Sequence, residues 1–135
     1  MDTFEAVTKA VSDPNRARIL KMLEGGELCV CQITAVLGLA NPTVSAHLAQ
    51  LRRAGLIGQR RSGRWVFYAL RDIPEKPEAL RMLEMVRQSL NDDDTVSHDR
   101  VLLAEIGKVP VADLCGPIRT ATIKASRARA EKVLA

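Results

Sequence analysis

Apolar residues recur every three or four positions through much of the first 55 residues, which predicts a series of short amphipathic helices. Phe4, Val7 and Val11 mark one face of the first helix. Asp13-Pro14 is a helix start signal, with Asp as the N-cap and Pro at the first helical position. The second helix then continues to the glycine pair Gly25-Gly26, where we expect it to end.

Two further helices follow at the spacing of a helix-turn-helix. The third is predicted over roughly Val30 to Leu37, and the fourth over Pro42 to Ala54 with Asn41 as its cap. In the fourth helix the apolar positions repeat at i, i+4 and i+7, so these positions must face the core. They are Val44, Leu48 and Leu51.

The pattern changes after the fourth helix. Leu56 to Arg61 and Trp65 to Leu70 are short runs of strand-forming character, and Ser62-Gly63 between them suits a tight turn. A helix-turn-helix followed by a hairpin is a winged helix. The predicted fold class is therefore mainly α with a small β-hairpin wing.

The rest of the chain is predicted to be helical with interruptions. A fifth helix follows Pro77, and the acidic run Asn91–Asp94 is read as a linker or cap. Val101 to Ile106 predicts a short helix, and the Ala-rich segment from Ile118 to Ala135 favours another. We expect residues 1–90 to form a DNA-binding and dimerisation domain and residues 91–135 to form a C-terminal extension.

Charge adds a function class to this fold. The net charge is +4, and no acidic residue lies between Glu27 and Asp72. A locally basic stretch in a winged helix predicts binding to the phosphate backbone of double-stranded DNA. The second helix of a helix-turn-helix enters the major groove. Its outward positions and the arginines around the wing turn are the predicted DNA contacts: Thr43, Ser45, Ala46, His47, Gln50, Arg53, Arg60, Arg61 and Arg64.

The three cysteines, Cys29, Cys31 and Cys115, are the second candidate site. The N-terminus lacks a basic region followed by an apolar run, and no apolar stretch reaches the length of a membrane span. We therefore expect a cytoplasmic protein with reduced thiols and no membrane partner. Closely spaced thiols in that compartment more often bind metal or do redox work than form structural disulfides. Soft thiolates select soft, thiophilic ions.

The string Glu27-Leu28-Cys29-Val30-Cys31, together with Gly63-Arg64-Trp65-Val66-Phe67-Tyr68, resembles the ArsR/SmtB family of metal-responsive winged-helix repressors. The resemblance covers about residues 4 to 90. It implies a homodimer that binds operator DNA and leaves it when trivalent arsenic or antimony binds the cysteines. Within the family some members carry a third cysteine where this chain has Thr34. Either an exogenous ligand completes the site, or Cys115 folds back from its own or the partner subunit.

The spacing of Cys29 and Cys31 also predicts a mechanism. In a regular helix residues i and i+2 lie about 200° apart, so both sulfurs reach one ion only if the first helical turn unwinds. Zinc sensing is disfavoured, because the predicted fifth helix, residues 76–90, contains no histidine.

Two alternatives remain open from the residues alone. The first keeps DNA binding and makes the thiols a redox sensor or a cadmium or lead sensor. The second is a constitutive architectural DNA-binding protein with inert thiols and a functional basic tail. Catalysis is not expected, since no nucleophile–base–acid set, phosphate loop or open metal triad is present.

Overall fold

The computed structural model describes all residues of the chain, from Met1 to Ala135. The fold consists of eight helices and a three-stranded sheet. In chain order the elements are α1 (Asp2–Ser12), α2 (Pro14–Leu23), β1 (Leu28–Cys29), α3 (Val30–Leu37), α4 (Asn41–Arg53), β2 (Ile57–Ser62), β3 (Trp65–Leu70), α5 (Pro77–Gln88), α6 (Asp94–Ile106), α7 (Val111–Cys115) and α8 (Arg119–Leu134).

The local start and stop signals act as the sequence predicts. The Asp13 carboxylate accepts hydrogen bonds from the backbone N–H groups of Asn15 and Arg16 at 2.8 and 3.2 Å, and so caps α2. Gly38 ends α3 in the left-handed conformation, with φ of 68°. One boundary prediction is wrong: α4 begins at Asn41 with Ala40 as its N-cap, so the Asn41 side chain does not cap the helix.

The helix-turn-helix is held by the predicted apolar stripe. Val44, Leu48 and Leu51 of α4 are fully buried, as is Ile33 of α3. All four belong to one hydrophobic cluster that also takes residues from α1, α2 and α5. Because close packing fixes how these helices cross, the outer face of α4 is presented to solvent on a rigid support.

The sheet differs from the predicted hairpin by one strand. Its order is β1-β3-β2, and both pairings are antiparallel. The added strand, β1, pairs Leu28 with Tyr68 and Cys29 with Phe67. The hairpin turn is formed by Gly63 and Arg64 rather than by Ser62 and Gly63, and Gly63 supplies the positive φ of 61° that the turn requires.

The segment after α5 packs onto the same core. The helix predicted from Val101 starts earlier, at Asp94, because the Asp93 carboxylate accepts from the backbone N–H of Val96 and caps it. Four buried residues of this segment join the main hydrophobic cluster: Leu102, Ile106, Leu114 and Ala130. None of the helices is both long enough and apolar enough to cross a lipid bilayer.

Candidate functional site

The exposed face of α4 carries most of the side chains predicted to contact DNA. Thr43, Ser45, Ala46 and Arg53 are exposed, whereas Gln50 is half-buried. The small side chains at the start of this face allow close approach to a groove, and Gln can bond the edge of adenine. The arrangement matches what a recognition helix presents to the major groove.

His47 is half-buried and has a protein partner. Its Nδ1 lies 3.2 Å from a terminal nitrogen of Arg16. Because a guanidinium only donates hydrogen bonds, Nδ1 accepts here, and Nε2 carries the ring proton. Arg16 also donates to the backbone carbonyls of Lys9 and Ala10 in the last turn of α1. His47 therefore connects the recognition helix to the junction of α1 and α2, and only its Nε2–H remains for another partner.

The three arginines predicted for the wing are all exposed, but they are not equivalent. Arg60 binds the Glu27 carboxylate through two hydrogen bonds of 2.7 and 2.6 Å, and its guanidinium lies 4.7 Å from the centre of the Phe67 ring. This pairing lowers the pKa of the Glu27 carboxyl. Arg61 forms no ion pair, and Arg64 only stacks on Trp65 at 5.2 Å. The free positive charge of the wing is thus at its tip.

The structure brings the three cysteine sulfurs together. Those of Cys29, Cys31 and Cys115 all lie within 4.8 Å of one another. Cys29 is completely buried, while the other two are half-buried. Cys115 comes from α7 of the same chain, which packs against α3, so the distant cysteine folds back onto the pair. Three convergent sulfurs form a donor set suited to a thiophilic ion.

The expected unwinding of the first helical turn is wrong. Cys29 lies outside α3 as its N-cap, in the extended conformation with φ of −74° and ψ of 148°. Its backbone N–H donates to Oε1 of Gln32 at 2.8 Å, half of a capping box. Because one cysteine is extended and the next is helical, both sulfurs reach one side of α3 without any change in the helix. The Cys-x-x-Gln spacing is the sequence signal for this cap.

The thiols are not all reduced in the structure, contrary to the expectation from the sequence. The sulfurs of Cys31 and Cys115 are joined as a disulfide across 84 residues of sequence, and Cys29 is the only free cysteine. The packing of α7 on α3 places the two side chains at bonding distance. The same cluster can therefore exist as three thiols or as one thiol beside a disulfide.

The cysteine cluster is directly connected to the wing. Cys29 is the β1 residue paired with Phe67 of β3, and β3 begins directly after the wing turn. The ion pair between Glu27 and Arg60 is a second bridge to the wing: its acid lies two residues before Cys29, and its base lies in β2, the other strand of the hairpin. Sequence reasoning missed this bridge because its partners are 33 residues apart.

The apolar faces of α1 and α5 are partly occupied within this chain. Val7 packs into the core of this chain, as do Leu83 and Val86 of α5. The two helices contact each other, and large apolar side chains nevertheless remain exposed on them and just after α5: Phe4, Leu80, Met85 and Leu90.

Comparison with known proteins identifies relatives along most of the chain. Residues 13–58 match the family model described as "Bacterial regulatory protein, arsR family". The arsenic resistance transcriptional regulator ArsR1 of Pseudomonas putida KT2440 is 43% identical over 106 residues, which are 77% of this chain and 80% of the relative. ArsR2 of the same strain, also an arsenic resistance transcriptional regulator, is 38% identical over 84% of this chain and 96% of its own length.

The fold comparison agrees with the sequence comparison. The solution structure of the homodimeric winged helix-turn-helix domain of Mb0332 from Mycobacterium bovis, a possible ArsR-family transcriptional regulator, superposes with a TM-score of 0.55. It is 28% identical and covers 67% of this chain and 81% of that domain. The two relatives from Pseudomonas putida are transcriptional regulators rather than enzymes. The winged helix predicted from the sequence is confirmed, and the chain belongs to the ArsR family of transcriptional regulators.

Proposed function

We propose that this protein is a homodimeric repressor that binds operator DNA and releases it when arsenite or antimonite binds Cys29, Cys31 and Cys115 as thiolates. The observation that carries the proposal is the convergence of three sulfurs within 4.8 Å. The names of the two relatives from Pseudomonas putida, both arsenic resistance regulators, support the choice of inducer.

When all three cysteines are reduced, the donor set fits a trivalent metalloid. All three potential ligands are sulfur, and hard cations such as magnesium or calcium prefer oxygen. No histidine or carboxylate belongs to the cluster, which distinguishes it from mixed nitrogen and oxygen sites. Because Cys31 and Cys115 must both be thiolates to bind an ion, the sensing form is the one in which their disulfide is reduced.

The position of the cluster supports a route from ligand to DNA. Cys31 lies in the first turn of α3, which packs against α4, and Cys29 is held in β1 beside β3. A ligand that draws the sulfurs together therefore acts on both DNA-facing elements. A ligand can shift a conformational equilibrium only by its difference in affinity for the two states. Release therefore requires the sulfurs to fit the ion better in the DNA-free conformation of the protein than in the DNA-bound one.

The dimer is proposed to form through α1, α5 and the residues just after α5, where the exposed Phe4, Leu80, Met85 and Leu90 provide the apolar surface. The homodimeric state of the Mb0332 domain supports this assembly. The two recognition helices would then read half-sites about 34–36 Å apart. A single monomeric species in sedimentation at micromolar concentration would exclude the dimer.

The central test is operator binding followed while possible inducers are added in parallel. Binding sites are selected from a random pool of double-stranded DNA with the reduced protein, and release is measured by fluorescence anisotropy. We expect arsenite and antimonite to release the protein at concentrations where zinc has no effect, because three sulfurs complete the pyramidal coordination of a trivalent metalloid but leave tetrahedral zinc one ligand short. Retention on the operator at saturating arsenite would overturn the proposal.

A thiol redox repressor is the second candidate, and the disulfide between Cys31 and Cys115 favours it. In that case oxidation of the two thiols, with peroxide as the electron acceptor, would change operator affinity without any metalloid. A peroxide arm in the same titration separates the candidates. Release by peroxide but not by arsenite would select the redox function.

A further inference from the structure

The start of α8 lies beside the start of the recognition helix. A cleft of about 250 Å³ between them is lined by Asn41 and Ser45 of α4 on one side and by Arg119 and Ile123 of α8 on the other. Cys31 and Cys115 also line this cleft. Asn41, Ser45 and Arg119 are exposed, so a ligand approaching the first turn of α4 also meets the Arg119 side chain.

This placement of Arg119 does not depend on the disulfide alone. Leu114, just before Cys115, is 2% exposed and belongs to the main core. Further along α8, Arg127 donates to the backbone carbonyls of Ala35 and Val36 at 2.8 and 3.3 Å, in the last turn of α3. Buried contacts before and after Arg119 therefore hold the beginning of α8 against the helix-turn-helix in the reduced protein as well.

The positive charge of Arg119 is not neutralised by a neighbouring acid. It has no ion-pair partner, whereas Arg129 on the same helix is bound to Glu105. A second cleft, on the wing side of Cys115, is lined by Arg64 at the wing tip. Neither cleft contains an acidic side chain. A surface with two unpaired arginines and no acid, next to the first turn of a recognition helix, suits a strand of DNA phosphates.

We propose that Arg119 contacts a DNA backbone phosphate next to the recognition helix, so that the C-terminal extension forms part of the DNA interface. The proposal rests on the operator binding proposed above. It assigns a role to the first residue of α8, and it places the cysteine cluster between two phosphate contacts, Arg64 on the wing and Arg119 on α8.

The test compares Arg119→Ala with Arg100→Ala, which removes the same charge from an exposed site on α6 away from α4. Affinities for the selected operator and for random DNA are measured across a range of salt concentrations. One lost phosphate contact lowers the slope of log affinity against log salt by about 0.9, which corresponds to about fivefold weaker binding at physiological salt. We expect this loss on both DNAs for Arg119→Ala, little change for Arg100→Ala, and recovery in Arg119→Lys.

The outcomes separate this inference from the function on which it rests. An unchanged salt slope in Arg119→Ala, with normal operator binding by the unsubstituted protein, would overturn only the role of Arg119. An equal loss in Arg100→Ala would also overturn it, because the effect would then be one of overall charge. Failure of the unsubstituted protein to bind any selected DNA would overturn both proposals.

Discussion

Replacement of Cys115 by Ser tests whether the third sulfur of the cluster is a ligand. The sulfur lies within 4.8 Å of the other two, and one sulfur in a sphere of that radius corresponds to an effective concentration of about 4 M. An exogenous thiol at about 1 mM that replaced it would be outcompeted by a factor on the order of a thousand. Movement of the three sulfurs into the geometry of the ion reduces this advantage, so we expect Cys115→Ser to weaken arsenite binding at least tenfold.

The assay follows both arsenite binding and operator release. Binding is measured from the ultraviolet absorbance of arsenic–thiolate bonds, and release from the anisotropy of labelled operator, each at several concentrations of glutathione. In Cys115→Ser the arsenite midpoint should fall as glutathione rises, because the free thiol then supplies the third ligand. In the unsubstituted protein added glutathione should not strengthen binding, since the internal sulfur already fills that position.

A matched control separates loss of the sulfur from disturbance of α7. Ala112→Ser introduces a hydroxyl at an exposed position of the same short helix, outside the cysteine cluster, and should leave the midpoint unchanged. The reasoning is refuted if Cys115→Ser responds to arsenite like the unsubstituted protein at every glutathione concentration. The site would then use two protein thiols and an outside ligand, or a sulfur of the partner subunit.

Three further predictions concern the other thiols and the stability of the fold. Cys29→Ser and Cys31→Ser should each retain operator affinity and lose arsenite release in the anisotropy assay, because a hydroxyl is a poor ligand for a soft ion; release by the double variant at the normal midpoint would contradict the sensor. Asp99→Asn should destabilise the protein by about 2–3 kcal/mol, since it leaves the largely buried Arg18 guanidinium without its carboxylate. Thermal unfolding should then show a midpoint lower by about 7–10 °C, and a change within error would mean that the pair contributes nothing. Asp13→Ala should cost about 1 kcal/mol as a lost N-cap. Burial raises the pKa of this carboxyl, but hydrogen bonds from two backbone N–H groups of α2 lower it by more than burial raises it. The pKa of Asp13 therefore lies below the ordinary 3.8. Its stabilisation is therefore present above that value and lost as the pH falls through the lowered pKa, so chemical denaturation should show the variant and the parent converging in strongly acidic solution.

The sequence predicts the elements whose causes are local. Asp13-Pro14 and Gly38 mark helix ends through their own backbone preferences, and the buried stripe of α4 follows directly from the helical period. The wing is also predictable, because its two strands are joined by one short turn. The bounds of α3 and β3 equal the predicted ones, and those of α4 and β2 are shifted by one residue.

The features that were missed depend on contacts between distant segments. A two-residue strand such as β1 has no periodic pattern of its own and exists because β3, some 40 residues later, offers a free edge. The approach of Cys115 to Cys31 spans 84 residues and follows from the packing of α6, α7 and α8 on the helix-turn-helix. Spacing in the sequence indicated a thiol site but not that all three sulfurs of one chain would meet.

Each sulfur of the cluster belongs to a segment that leads to a different part of the proposed DNA interface. Cys29 is in β1, which pairs with β3 and leads to the wing. Cys31 is in α3, which packs against the recognition helix, and Cys115 is followed four residues later by Arg119. If release needs only the segments of Cys29 and Cys31 to be drawn to one ion, Cys115→Ser should lose affinity for arsenite yet still release the operator completely once glutathione supplies the missing ligand. Incomplete release at saturating arsenite would instead show that the link from Cys115 to α8 itself carries part of the signal, because an outside thiol can replace the sulfur but not the chain that it is attached to.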